Sequence, residues 1–496
     1  MVFNTANLLV VVYVALGSTS CAYSLAVLGG IIGQPSFYTS LNLAPEGEPG
    51  YDRTAQLLGA FNGIQSAGAC VGTVYNSWSA NALSRKRTIQ IGAVVTIVAA
   101  ALCGASVNVG MFIFARFVSG LGLGILGTCI PIYQSEIAPP ELRGLMVSMH
   151  GVMFGVGYTL SAWLNFGLFF LTQNGSTSSF PWRFPMVFQC VPALLMLVGS
   201  PWLPFSPRWL MSKGRYEEAK DVLKRLHTKK GGNGDDVAMR EFQQIKEQLE
   251  VDRQVQESAP RWQLIRTAPN RKRALIAGSM MWFNMFTGVL ILSNYGLVLF
   301  KNLGLDGWWP LFLLGIWVTV SIPANIITAL IVDKVGRRPI LLVGASGILV
   351  SLICECALQA KYSNSTNRSG QIAACFFIYL FIAFWGVCID ATQYLYMSEI
   401  FPTRIRPQGA GFAMWNQQAA TIVVLVAGPI ALERIGWKFF LVLIIPTAIY
   451  IPVIYFFFPE TKQRSLEDIS AQFGEVVAVE FSETKAAVEH HENATP

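Results

Sequence analysis

Apolar residues along this chain come in stretches of about 20 or more, separated mostly by short polar segments. Such lengths suit helices crossing the hydrocarbon core of a bilayer. The stretches fall at about 8–32, 55–78, 88–108, 110–134, 145–170, 184–203, 273–300, 309–332, 338–359, 371–397, 407–430 and 437–458. None shows the period-two alternation of an outer-membrane barrel strand, so the pattern predicts twelve membrane helices. The first stretch lacks a basic flank and outruns the apolar core of a signal peptide, which makes it a retained span.

The long polar segment, about 204–272, carries helix-like runs at Gly214–His227 and Val237–Val255 around the breaker Gly231-Gly232-Asn233-Gly234. It divides the chain into a six-helix bundle at 1–203, a cytosolic linker with short helices at 204–272, a second six-helix bundle at 273–458 and a tail at 459–496. From Glu475 onward the tail is acidic and without apolar periodicity, the composition of a disordered end.

Composition agrees with the pattern. Apolar residues make up 53% of the chain and charged residues 13%, against about 25% charged in an ordinary soluble domain. Collagen, coiled coil, disulfide scaffold and soluble enzyme are thereby set aside. The net charge of +7 is informative through its placement. With both termini cytosolic, about 28 of the 36 Lys and Arg residues fall in inside loops, among them Arg85, Lys86, Arg87, Arg143, Lys334, Arg337, Arg338, Arg404 and Arg406. That is the bias that orients membrane helices, and no nucleic-acid partner is implied. The sequons at Asn174, Asn364 and Asn367 lie in loops the same count places outside, where they are candidate glycosylation sites; a further one at Asn493 lies in the cytosolic tail. The nine cysteines all sit in spans, and none pairs as CxxC, so they read as packing residues. No metal or cofactor is expected.

Chemistry-bearing patterns repeat between the halves. Tyr133-Gln134-Ser135-Glu136-Ile137 through Arg143 recurs as Tyr396-Met397-Ser398-Glu399-Ile400 through Arg406, and Asn81 to Arg87 is echoed by Asp333 to Arg338. Parallel repeats of six helices characterise one transporter architecture, with substrate held at mid-membrane between the halves. The repeats put Arg85, Arg337 and Arg338 beside Glu136 and Glu399, and with Arg143, Asp333 and Arg406 they are candidate gating salt bridges. Gly120-x-Gly122-x-Gly124 follows no strand, so it reads as close helix packing and not as a nucleotide loop. HExxH, P-loop and nucleophile-elbow motifs are absent, which gives no support to an enzyme.

These motifs resemble the sugar porter branch of the major facilitator superfamily over about residues 15–470. The likeness rests on Arg116-x3-Gly120-x-Gly122-x-Gly124, Pro131 to Gly144, Pro204-Phe205-Ser206-Pro207-Arg208 in place of the family's PESPR, Asp333 to Arg338, and Pro459-Glu460-Thr461-Lys462 with Leu466 to Ile469. The resemblance implies an all-α membrane protein of two pseudo-symmetric six-helix bundles that moves a sugar, polyol or similar small solute by alternating access, by proton symport or facilitated diffusion.

The site departs from the pattern the resemblance implies. The family's Gln-Gln pair of the fifth span is His150-Gly151, and its amide-rich seventh span reads Asn284-Met285-Phe286-Thr287-Gly288-Val289-Leu290, ending in Asn294-Tyr295. Lost amides suggest a solute with fewer hydroxyls. The remaining polar candidates are His150, Asn284, Asn294, Tyr295, Gln393, Asn416 and Gln418, with Tyr394 and Trp415 as aromatic walls. The family's proton-linked Asp in the first span is Ser24 within Ala22-Tyr23-Ser24, which leaves Arg116 facing a hydroxyl and points to a facilitator. Against this stands Asp390, an acid near the middle of the tenth span, where charge is costly and commonly marks an ion path. Asp390 is thus a candidate for proton coupling or substrate binding, and His150, with an intrinsic pKa of about 6.5, for a relay. Glu355, near the outer end of the ninth span, is expected to reach water. An organic acid or secondary metabolite is the alternative solute, favoured by Met285, Leu290 and Arg116; a non-transporting nutrient sensor is the alternative class, disfavoured by the short tail. The plasma membrane is the expected location.

Overall fold

The computed structural model describes residues 5–45, 48–138, 143–172, 178–227, 234–257, 264, 267–302, 307–362, 367–402, 405–462, 464, 469 and 471–474. Twelve long helices run through them. The first six are α1 (Leu9–Ile31), α2 (Tyr51–Ala82), α3 (Arg85–Gly104), α4 (Val109–Ile137), α5 (Gly144–Leu171) and α6 (Phe180–Trp202). The second six are α7 (Ala268–Phe286 and Val289–Asn302), α8 (Trp309–Val335), α9 (Arg337–Tyr362), α10 (Arg368–Ile400), α11 (Arg406–Ile435) and α12 (Phe439–Phe457). No strand occurs among the described residues.

Eleven of these helices are long and apolar enough to cross a membrane, and α2 is the exception. Its Asn62, Gln65 and Asn76 are turned inward and buried, while Val71, Val74 and Trp78 face outward. The same polarity of faces, apolar to the outside, recurs along the chain at Val198, Ile327, Val343, Phe376 and Phe456. A bilayer is the medium in which such a surface is stable.

Packing follows the repeat. Within the first six helices α2 and α3 pack on α4, and α1 on α5; in the second six α7 packs on α11, and α9 on α10 and α12. The halves meet chiefly along two seams, α2 with α11 and α5 with α8. Glycine makes the closest approach possible: a Cβ on Gly120 or Gly124 would run into the main-chain oxygen of Gln65 or Ala69 on α2. Gly120→Val should therefore disrupt the first bundle by at least about 3 kcal/mol, read as loss of the monodisperse peak in detergent size-exclusion chromatography.

Between the halves, helices Pro207–Ser212, Tyr216–His227 and Gly234–Glu257 share a small core of Trp209, Met211, Leu223 and Ile245. Glu355 does not reach water: it is 3% exposed and accepts a hydrogen bond from Gln359 Nε2 at 2.9 Å. The reason is length, since α9 continues to Tyr362, about two turns beyond it. The side chain of Arg143, together with Asn174, Asn364 and the tail from 475, lies outside the described residues.

Candidate functional site: a closed cavity between the bundles

A cavity of about 60 Å³ lies at mid-height between the halves. At roughly 10–15 Å³ per water it holds on the order of five waters. Helix periodicity decides which side chains reach it. From α11 it receives Met414, Gln417, Gln418 and Thr421, an i, i+3, i+4, i+7 face. From α7 come Met285, Val289, Leu290 and Ser293, on either side of a break at Gly288, whose φ of 99° no other residue adopts cheaply. Phe154 and Tyr158 of α5, Trp317 and Ser321 of α8, and Trp385, Asp390, Gln393 and Tyr394 of α10 complete most of the wall.

Asp390 is the only carboxylate, Lys, Arg or His in that lining. It ends a π-helical stretch, Trp385–Asp390, inside α10. Such wide turns recur at functional sites. One carboxylate oxygen accepts from Asn325 Nδ2 of α8 at 2.8 Å. Gln418 Oε1 and Ser293 Oγ are buried without a partner, and Gln393 Oε1 accepts from Asn284 Nδ2 at 3.0 Å. The cavity thus presents one carboxylate with amide and hydroxyl groups from several helices, set among aromatic and aliphatic surface.

The other sequence candidates divide. Tyr394 lines the cavity and accepts from Gln417 Nε2 at 3.3 Å. His150 stands one layer behind, its ring 4.4 Å from that of Tyr394, with Nδ1 2.7 Å from Ser18 Oγ and Nε2 unpartnered. Asn294 donates to Leu290 of its own helix at 3.1 Å, and its backbone lies against Gly29 of α1. Tyr295 donates to the Leu425 carbonyl at 3.1 Å. Trp415 is not a wall: it is 43% exposed, because it falls off the 414/417/418/421 face. Asn416 leaves the same face and donates to Phe412 O at 2.9 Å. Gln417, Ser293, Tyr158 and Asn325 went unrecognised in the sequence; the first was legible from the α11 periodicity beside Gln418.

Arg116 is fully buried away from the cavity. It does not face the Ser24 hydroxyl; its guanidinium donates to the main-chain oxygens of Ser24 at 3.2 Å and Phe61 at 3.4 Å and to Asn62 Oδ1 at 3.1 Å. The Ser24 hydroxyl is taken up by Gln65 and Ser119, each at 2.7 Å.

The sequence profile described as "Sugar (and other) transporter" matches residues 10–473. The chain belongs to that family. Among similar proteins, the sugar transporter STL1 of Saccharomyces cerevisiae is 31% identical over 85% of this chain and 74% of its own length. A quinate permease of Neurospora africana is 30% identical over 92% of this chain and 86% of its own. In fold, the proton:xylose symporter XylE bound to 6-bromo-6-deoxy-D-glucose superposes with a TM-score of 0.81 at 22% identity, covering 95% of this chain and 100% of that one.

The transporter is a twelve-helix protein of the major facilitator type, and an alternating-access carrier must close one end of its cavity before opening the other. Here both ends are shut. At the arginine-rich end Arg85 binds Glu136 at 2.9 Å within the first half, and Arg337 binds Glu399 and Asp333, each at 2.9 Å, within the second. Contacts across the halves are fewer: Arg406 lies 3.9 Å from Glu136, and Asp333 Oδ2 accepts from the Leu145 amide at 3.1 Å. Arg338 makes no ion pair among the described residues; its amide donates to Glu460 at 3.1 Å and its guanidinium to the Tyr455 carbonyl. The reason is orientation, since α9 begins at Arg337 and sends its second arginine toward α12.

At the opposite end Asn62 donates to the Tyr295 hydroxyl at 3.4 Å, Trp163 Nε1 to Thr319 Oγ1 at 3.0 Å, and Gly59 approaches Val426 of α11. The repeat is reproduced in detail. Tyr133 and Tyr396 donate to Pro204 and Pro459 at 2.6 and 3.0 Å, while Ser206 and Thr461 donate to Glu136 and Glu399 at 2.5 and 2.8 Å. In the second half Glu460 also accepts the Arg337 amide at the start of α9, at 3.0 Å. In the first half Phe205 replaces the expected acid and instead lies 5.1 Å beneath Lys86 Nζ.

Proposed function

We propose that this transporter carries a small neutral solute bearing hydroxyl groups, a sugar or polyol, together with protons bound at Asp390. The observation that carries the reading is the composition of the cavity wall. Its hydrogen-bonding groups include the Asp390 carboxylate and the unpartnered Gln418 Oε1 and Ser293 Oγ, and it offers no cation. A hydroxyl, which both donates and accepts, suits each of these, whereas a carboxylate solute meets the Asp390 acid and finds no cation to balance its charge. Names among the relatives, a sugar transporter and a proton:xylose symporter, support the same class. Trp317, Trp385 and Tyr158 provide the flat apolar surface on which the C–H face of such a solute rests.

An organic acid is the second reading, supported by the quinate permeases among the relatives. Arg116 lends it no help, being engaged outside the cavity. The arginine-rich end is assigned to the cytosol and the membrane to the plasma membrane, with Arg85, Glu136, Arg143, Asp333, Arg337, Glu399 and Arg406 as the inner gate. Asn367 is exposed, caps α10 through Oδ1 and opens the sequon Asn367-Arg368-Ser369, which we place on the outer side as a glycan site.

Purified protein in proteoliposomes, offered labelled hexoses, polyols and carboxylates with and without an inward proton gradient, tests the reading. Accumulation of a neutral polyhydroxy compound only when the gradient is present supports it. Accumulation confined to carboxylates rejects the solute class, and gradient-independent uptake rejects coupling.

A further inference from the structure

Asp390 sits in the closed cavity without a basic partner, and what faces it is neutral from every side. Tyr158 of α5 and Tyr394 of α10 are the titratable groups that share its cavity; α1, α4, α7, α8 and α11 contribute no ionisable side chain. His150 of α5 lies outside that lining, its ring 4.4 Å from the Tyr394 ring. On its other flank, Cys388 of the same turn packs on Gly344 of α9. Yet one group does address the carboxylate directly, and it belongs to another helix.

Asn325 is fully buried in α8. Its Nδ2 donates twice, to Asp390 Oδ2 at 2.8 Å and to the Ser321 carbonyl one turn earlier at 2.9 Å. These two bonds fix the amide plane. The same orientation leaves Oδ1 buried with no partner. That oxygen points at α5: a Cβ added to Gly151 would stand 2.6 Å from it. An amide held so that its oxygen is sacrificed, while both protons are spent on a carboxylate and a carbonyl, is arranged for its donor. A carboxylate accepts and a carboxylic acid can donate, whereas an amide offers either function when it turns over.

Resting on the reading of Asp390 as the proton-binding group, we propose that Asn325 is the positioning residue of the proton-binding step. Its amide steadies Asp390 as a carboxylate in the closed cavity, and it turns to receive a hydrogen bond once the acid is protonated. Because Oδ1 lies against Gly151, that turn is made at the α5–α8 seam, one of the two surfaces along which the halves meet. The proton load of α10 is thereby signalled to the first bundle through one side chain. The glycine of the His150-Gly151 pair is what gives the amide room.

The test reads protonation without needing the solute. Infrared titration of the purified full-length protein, with the Asp390→Asn spectrum subtracted, isolates the carboxylic acid band of Asp390. The bond donated to the charged carboxylate is stronger than the neutral one accepted from the acid, so on balance the amide favours the charged form, and Asn325→Leu should shift the midpoint of that band to more alkaline pH by about one unit. Asn325→Ser, which keeps a hydroxyl, should fall between wild type and Asn325→Leu, and it serves alone if the leucine variant does not fold. A midpoint unchanged in the variants overturns the inference. Failure of the Asp390 reading is seen separately: proton-driven uptake would then be the same in wild type and Asp390→Asn, whatever the infrared midpoint does.

Discussion

Accumulation of solute against a gradient should fall at least about tenfold in Asp390→Asn, while downhill counterflow persists. The substitution preserves shape and keeps one oxygen to accept from Asn325 or from a solute hydroxyl; what it removes is the charge, and with it the ability to take up and release a proton. A buried carboxylate with no cation beside it is held at considerable cost, and the π-helical turn that ends on Asp390 is a second local departure from the cheapest backbone. Both are expected where function, and not stability, sets the residue. If Asp390 served only to bind solute, counterflow and accumulation would fall together. If it were merely a satisfied packing group, neither would change. Measuring both rates in the same vesicles distinguishes the three cases, and accumulation at the wild-type level in Asp390→Asn would remove this residue from the coupling step.

Gly151→Ala addresses the same unit from the other bundle. The added methyl would meet Asn325 Oδ1 at 2.6 Å and the Cβ of Ala391 at 2.7 Å, neither at the end of a long flexible side chain. A severalfold drop in turnover with solute affinity largely retained is the expected outcome, measured as Vmax and KM of uptake, because the closed seam is penalised more than the binding surface.

The fold could be read from the chain because bilayer thickness imposes a length on every span and the repeated Tyr-x-Ser-Glu-Ile segments expose the duplication. Asp390 was equally visible, as a charge where charges are rare. What could not be read was orientation around each helix axis. Trp415 and Gln418 lie less than one turn apart, yet one faces outward and the other the cavity. Asn294 and Tyr295 likewise look like solute ligands in sequence, but the break at Gly288 turns them onto α1 and α11. Asn325 gave no signal of its own because its importance comes from a partner 65 positions away on another helix. Pairings across helices were legible only where a motif repeats, as with Arg85 and Glu136. Among the described residues, the ion pairs of Arg85 and Arg337 close within a half, and Arg406 with Glu136 reaches across the two.

That asymmetry makes unequal outcomes expected for two residues the repeat presents as equivalent. The Glu136 side chain is entirely buried; one oxygen accepts from Arg85 and lies 3.9 Å from Arg406, and the other accepts from Ser206. Glu136→Gln would take from Arg85 the carboxylate it binds at 2.9 Å and remove the charge that lies 3.9 Å from Arg406, and breaking a buried pair such as Arg85–Glu136 costs about 3–5 kcal/mol. Glu399, by contrast, binds its arginine through both oxygens, at 2.9 and 3.1 Å, but Arg337 keeps Asp333 at 2.9 Å when Glu399 is neutralised. Glu399→Gln should therefore lower the thermal unfolding midpoint less than Glu136→Gln does. Transport should follow the same order, because Glu136 is the acid that also lies 3.9 Å from Arg406 of the opposite half. Wild-type stability in Glu136→Gln, or a larger loss in Glu399→Gln, would show that the 3.9 Å contact across the halves contributes nothing to holding them closed.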